Sequence, residues 1–258
     1  MTLHFERRGS GPPLLLVHGL GGSTRSWDTI ADDLAASREL VIIDMPGHGR
    51  SPSVEGRQTI AAFADAIAAF MGEQGLERAD LLGSSVGARL VLELSRRGLG
   101  RHCVALDPGG FWQGWETTYF KLTIGVSGKL IRVIRPALSF LTKNAVTRAL
   151  LLAQLSARPG SLSPDVVLTE LRTLADTQVF DDMLHELAHG PLQKGTATAP
   201  GRVTIGWGRQ DRLLLPAQAE RAHAAFPGSR LHWFEHCGHF PHWDQPQEAV
   251  RVILDGTA

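Results

Sequence analysis

The stretch Asp80-Leu-Leu-Gly-Ser-Ser-Val-Gly-Ala-Arg-Leu-Val-Leu-Glu-Leu94 changes period in its middle. Leu81-Leu82 reads as the end of a buried strand, whereas from Val86 apolar residues recur at helical spacing until Gly98 stops them, predicting a helix over residues 86–97. Between the two lies Gly83-Ser84-Ser85-Val86-Gly87, a G-x-S-x-G match. The two glycines let the turn tighten and the helix pack closely. A serine there would project its hydroxyl from the carboxyl edge of a sheet, where open α/β folds take their ligands.

The pattern repeats on either side. Pro13-Leu-Leu-Leu-Val-His18 ends at Gly19, Leu40-Val-Ile-Ile-Asp44 at Pro46-Gly47, and Cys103-Val-Ala-Leu106 at Asp107-Pro108-Gly109. Arg202-Val-Thr-Ile205 and Leu231-His-Trp-Phe234 follow late in the chain. Continuous apolar runs suit strands covered on both faces. Ile60, Phe63, Ala64, Ile67, Phe70 and Met71 sit at helical spacing, predicting an amphipathic helix over residues 58–73. The fold class expected is α/β, a mostly parallel sheet flanked by helices.

Residues 111–198 break this alternation, reading as several helices with no clear strand. Pro136 should kink the first, and Ser163-Pro164 reads as an N-cap followed by proline at the first helical position. The expectation is a core from residues 1–110 and 199–258 with a helical cap, residues 111–198, inserted between two strands. The cap is electrically lopsided. No Asp or Glu occurs from Thr117 through Pro164, while Lys121, Lys129, Arg132, Arg135, Lys143, Arg148 and Arg158 are basic. Three readings stay open: solvated tips on apolar helices, attraction of an anionic substrate, and weak contact with an anionic membrane surface.

Composition narrows the class. In 258 residues, 43% are hydrophobic and 20% charged, which excludes a disordered or fibrous chain. Lys plus Arg and Asp plus Glu each number 26, a balance with no footprint for nucleic acid. The early aliphatic run, Leu14 to Val17, is too short to span a bilayer. Two cysteines, Cys103 and Cys237, build no disulfide framework and fit a reduced, cytoplasmic setting. A monomer or homodimer is expected.

A second motif competes with the serine turn. His185-Glu186-Leu187-Ala188-His189 matches H-E-x-x-H, which on a helix puts two imidazoles on one face beside a general-base glutamate, as in zinc proteases. Chance yields G-x-S-x-G in roughly 0.2 of such chains and H-E-x-x-H in roughly 0.02, so context must decide. Zinc needs a third ligand, yet Gly190-Pro191 breaks the chain after His189 and the next histidine is His223. The zinc reading fails there, and so does a metal cluster of His236, His239 and His242 in a Gly/Pro-interrupted loop.

The serine reading gains on context. Ser85 needs a base and an orienting acid. His239 follows the last strand-like run, and Asp211 follows the run ending at Ile205, both at the same sheet edge; Asp107 is the rival acid. The Val86 N–H and one from the Gly19-Leu20-Gly21-Gly22 loop, that of Leu20, would form an oxyanion hole. His18 ends a buried strand and is expected to be a structural hydrogen-bonder.

In order along the chain, His18-Gly19-Leu20-Gly21-Gly22, Asp44-Met-Pro-Gly-His-Gly-Arg-Ser51, the turn around Ser85, Gly208-Arg-Gln-Asp211 with Pro216, and Gly238-His239 resemble the α/β-hydrolase superfamily. The resemblance implies an eight-stranded, mostly parallel sheet, a triad in the order Ser, Asp, His, and no cofactor. Its first strand is expected to be reduced or missing, since only residues 3–7 precede the Gly-Pro turn. Ser85 argues against the aspartate-nucleophile epoxide hydrolases and dehalogenases of that fold. Cys237-Gly238-His239 is similar to hydrolases of aromatic meta-cleavage products, although Phe240 stands where those relatives have Trp.

The leading expectation is therefore hydrolysis of a carboxylic ester, lactone or thioester of a small hydrophobic compound. Carbon–carbon bond hydrolysis is the alternative, and a non-catalytic binder of the same fold a remote one. Ser84, Phe240 and Trp112 are expected to touch substrate, with Phe111, Trp115, Tyr119 and Phe120 near the cap's entrance.

Overall fold

The computed structural model describes residues 2–258. Seven strands form one sheet: β1 Phe5–Arg8, β2 Pro13–Val17, β3 Glu39–Ile43, β4 Asp80–Ser84, β5 Cys103–Leu106, β6 Val203–Gly208 and β7 Arg230–Phe234. Their order is β1-β3-β2-β4-β5-β6-β7, with β1 antiparallel to β3 and every other pair parallel. One strand is lacking relative to the eight implied, because β1 alone occupies its edge and turns through Gly9 and Gly11, both at positive φ, straight into β2.

The apolar runs divide by parity. Leu15, Val17, Val41, Ile43, Leu81, Cys103, Ala105 and Ile205 face one core. Their neighbours Leu14, Leu16, Leu40, Ile42, Leu82, Val104 and Leu106 face another. Both sheet faces are thus buried, which is why the runs are continuous.

The helices that cover the first strands of the sheet are α1 Ala31–Ala35, α2 Ile60–Gln74 and α3 Val86–Arg96. In α2 the Thr59 hydroxyl caps the Ala62 N–H and Gly75 closes the far end in the left-handed conformation, within two residues of the predicted bounds.

Between β5 and β6 come α4 Glu116–Ile134, α5 Leu138–Leu141, α6 Ala145–Leu151, α7 Pro164–Asp176 and α8 Phe180–His189, with no strand among them. At Pro136 the helix breaks: α4 ends in a 3₁₀ turn, Arg135–Ala137, that runs directly into α5. Ser163 caps α7 through the Asp165 N–H, with Pro164 in its first turn. After β6 follow α9 Ala217–Ala225, α10 Pro241–Asp244 and α11 Pro246–Gly256.

The basic residues of this insertion are partly neutralised from outside the acid-free stretch. Arg132 pairs with Asp181 at 2.8 Å and Arg135 with Asp176 at 2.5 Å. Arg148 is buried and donates to the carbonyls of Thr142, Lys143 and Gly160. Lys129, Lys143 and Arg158 form no ion pair among the described residues.

At the amino edge of the strands, Asp80 is almost fully buried and gathers Arg38 at 2.5 Å, Arg101 at 2.9 Å and the His102 N–H at 3.1 Å. Removing it strands the buried Arg38 guanidinium, a change that costs about 3–5 kcal/mol when a buried pair loses one partner. Asp80→Ala should therefore lower the unfolding free energy in urea by that amount; a loss under about 1 kcal/mol would contradict this account.

Candidate active site

Four loops leave the carboxyl ends of β2, β4, β6 and β7 and meet above β4. Ser85 sits between β4 and α3 at φ 56° and ψ −114°, a conformation non-glycine residues rarely hold. The neighbours force it. A Cβ on Gly83 would collide with the Gly87 carbonyl, and one on Gly87 with the Val17 carbonyl of β2, so α3 lies directly against the sheet and the turn has no room to relax. The Ser85 N–H is held by the Leu106 carbonyl at 2.9 Å.

His239 Nε2 lies 2.9 Å from Ser85 Oγ, and His239 Nδ1 lies 2.8 Å from Asp211 Oδ2. The other Asp211 oxygen accepts from the N–H groups of Leu213, at 2.7 Å, and Leu214, at 3.0 Å. Both rotatable ends of the carboxylate are thereby fixed. Ser85, His239 and Asp211 are all buried. The three residues predicted from spacing are brought together.

Asp107, the rival acid, stands beside Asp211 but makes no hydrogen bond to His239. Its Oδ1 accepts from the Gly208 N–H at 2.9 Å and Oδ2 has no hydrogen-bond partner among the described residues. Burial first, and then the charge of Asp211, push its carboxyl well above the usual range.

Among the described residues, Asp107, Asp211 and His239 are the one trio that brings potential metal-ligating atoms within 4.8 Å of one another. The Asp211 and His239 atoms are already committed to the hydrogen bonds above. His185 and His189 form no such set: their rings meet edge to face, 4.5 Å apart, on the exposed side of α8, and Lys121 reaches His189 at 3.2 Å.

Leu20 and Val86 line the space in front of Ser85. Val86 is the first residue of α3, so its N–H has no partner within the helix, and the Leu20 N–H bonds to no other described residue. His18 is structural, as expected. Its Nδ1–H donates to the Gly19 carbonyl at 2.7 Å while Nε2 accepts from the Met45 N–H at 3.0 Å, fixing one neutral tautomer.

A cavity of about 90 Å³ lies above Ser85. Its wall is mostly aliphatic and aromatic, from Phe120 and Ile131 of α4, Leu171 and Leu174 of α7, and Phe180, Phe240 and Trp243. Phe240 is on that wall as predicted; two other expected contacts are not. Trp112 lies behind it, buried and stacked on Phe120 with ring centroids 5.1 Å apart. Ser84 is buried beneath the turn and faces a small side chamber with Trp27 and His242. Trp115 is exposed, and the Tyr119 hydroxyl donates to the Arg212 carbonyl.

Two features had no sequence signal of their own. Glu170 of α7 is, apart from His239, the one ionisable group on the cavity wall. Burial pushes its carboxyl up to about 7, against the Ser26 hydroxyl that donates to it at 3.2 Å. Asp244 accepts from Ser156 Oγ at 2.5 Å and from the N–H groups of Ala157 and Gly238, each at 2.7 Å. The His239 N–H in turn donates to the Leu155 carbonyl at 2.8 Å.

The sequence profile of the Alpha/beta hydrolase family matches residues 14–252. The chain belongs to that family. An uncharacterized protein of Mycobacterium tuberculosis is 26% identical, over 98% of this chain and 78% of its own length. The 2-hydroxy-6-oxo-6-phenylhexa-2,4-dienoate hydrolase of Comamonas testosteroni is 25% identical, over 98% and 90% respectively. The structure of a thermophilic esterase from Thermogutta terrifontis superposes with a TM-score of 0.76 at 21% identity, covering 98% of this chain and 92% of that one; this likeness speaks to fold alone. As an alpha/beta hydrolase, the chain carries its serine where the family's strand–turn–helix element lies.

The tautomer of His18 is directly measurable. Burial depresses its pKa to about 4 from an ordinary value near 6.5. An NMR titration should show the His18 ring staying neutral from pH 8 down to pH 5; a midpoint above 6 would refute the buried hydrogen-bonding role.

Proposed function

We propose that this alpha/beta hydrolase is a serine esterase that cleaves carboxylic esters, or the related lactones and thioesters, of uncharged hydrophobic acyl or aromatic groups. One observation carries the reading: the hydrogen-bond chain from Ser85 through His239 to Asp211 opens onto an apolar cavity.

In this mechanism His239 Nε2 takes the Ser85 proton as Oγ attacks the ester carbonyl, and Asp211 holds the imidazole with Nδ1 protonated and stabilises the imidazolium. The Leu20 and Val86 N–H groups donate to the oxyanion, a contribution of about 3–4 kcal/mol per donor in comparable sites. His239 returns the proton to the leaving alcohol, giving an acyl-enzyme. Water then attacks that ester with His239 as base, releasing the acid and restoring Ser85.

A second reading, carbon–carbon bond hydrolysis of the meta-cleavage type, is favoured by the relatives named for it, including the Comamonas testosteroni enzyme. The substrates in those names are dienoates and dioates, which carry carboxylates. The described residues lining the cavity include Glu170 and no lysine or arginine, which weighs toward an uncharged acyl group.

Turnover of nitrophenyl esters from acetate to dodecanoate tests the main reading. Ser85→Ala should lower kcat by at least about 10³-fold and abolish covalent labelling by a serine-directed phosphonate; near wild-type turnover would overturn it. Failure of every ester, with turnover of a dienoate, would establish the second reading instead. Asp211→Asn should cost about 10³–10⁴-fold in kcat, while Asp107→Asn, which removes no hydrogen bond to His239, should cost less than about tenfold. Comparable losses in both would move the orienting role.

Glu170 adds a pH signature. Its carboxyl is neutral below about 7 and anionic above. Relative to a neutral ester, kcat/KM for a half-ester bearing a free carboxylate should fall about tenfold between pH 6 and pH 8. Glu170→Gln should flatten that ratio; a ratio independent of pH in the wild type would remove Glu170 from substrate selection.

A further inference from the structure

Helix α4 is apolar on two opposite sides. Phe120, Ile124, Gly128 and Ile131 turn inward and line the cavity. Leu122, Val126, Leu130 and Val133, spaced by four, four and three residues, form a single outward stripe and are 64%, 59%, 51% and 79% exposed. Trp115 precedes them at the same helical phase and is exposed too. Phe140 of α5 and Val146 and Leu150 of α6 are exposed on the neighbouring short helices. A stripe of this kind on a soluble surface marks a contact site.

Its charge says with what. The exposed Lys129 stands within the stripe, and Lys143 and Arg158 accompany the short helices, all without an acidic partner among the described residues. The acids that pair with other cations of these helices, Asp181 of α8 with Arg132 and Asp176 of α7 with Arg135, are engaged in those pairs. Pairing of this patch with a second copy would set these cations against their own kind, because a two-fold contact joins a patch to itself. An anionic phospholipid surface takes both features: acyl chains receive the stripe and phosphates the lysines and arginine.

The cavity's position agrees. Ser127, exposed on α4, and Leu151, at the end of α6, both line it, so it opens between these helices, flanked by exposed Leu130 and Leu150. We propose that the outer face of α4, with α5 and α6, docks this hydrolase on anionic phospholipid surfaces, so that the cavity opens toward the lipid. No helix among the described residues is long and apolar enough to cross a membrane, and the contact is a surface one. The proposal stands apart from the esterase reading, since docking is scored without turnover.

The test is flotation of the wild-type protein with vesicles of ether-linked phospholipids, which offer no ester to cleave. Vesicles containing about one-third phosphatidylglycerol should carry the protein at least tenfold better than pure phosphatidylcholine. Serine at Leu122, Val126, Leu130 and Val133 together should reduce this binding at least tenfold, with unchanged melting and unchanged circular dichroism excluding misfolding. Lys129→Gln, Lys143→Gln and Arg158→Gln together should erase the preference for the anionic lipid. Absence of wild-type flotation, or a four-serine variant that floats as well as wild type, would overturn the proposal. So would a wild-type dimer that the four-serine variant dissociates, which would assign the face to a second copy.

Discussion

A serine held at positive φ between a buried strand and a buried helix is the constraint from which the site follows. The turn cannot relax, because Gly83 and Gly87 are pressed against backbone carbonyls with no space even for a methyl group. Strain of this kind survives only when packing on both sides over-determines it. Here α3 is buried along most of its length and β4 lies between β2 and β5 in the middle of the sheet. The stability of the core is thus what keeps the Ser85 hydroxyl facing the cavity.

Charge placement obeys the same economy. Three buried histidines around the site are kept neutral: burial holds His18 near 4 and both His48 and His242 near 3. Burial and the neighbouring Asp211 push the Asp107 carboxyl upward. Asp211 is the acid that faces the His239 imidazole, and its geometry is set by backbone N–H groups that do not titrate.

Much of this was legible in the sequence where the signal is local. The Ser85 turn, the continuous apolar runs of the strands and the cap of α7 each depend on neighbours a few residues apart. Asp211 and His239 were found because both directly follow strand-like runs, and strand ends share an edge. What escaped depends on long-range packing. Trp112 had the right composition for a substrate contact, but Phe120 one helical turn into α4 took the cavity wall and left the indole behind it. Ser84 directly precedes Ser85 in sequence, yet strand alternation turns it toward the opposite side of the turn. Glu170 looked like any surface glutamate of an amphipathic helix until α7 folded over the cavity. The acid-free basic stretch was visible, whereas its partial neutralisation by Asp176 and Asp181 required the packing of α7 and α8 on α4.

The hydrogen bonds around Asp244 tie the loop of His239 to the insertion as well as to the sheet. Asp244 accepts from Ser156 and Ala157 on one side and from Gly238 on the other, and the Leu155 carbonyl accepts from the His239 N–H. The distance between His239 and Ser85 is therefore set by the segment after α6 no less than by the ends of β4 and β7, and a substitution at Ser156 or Asp244 would reach the imidazole without touching it.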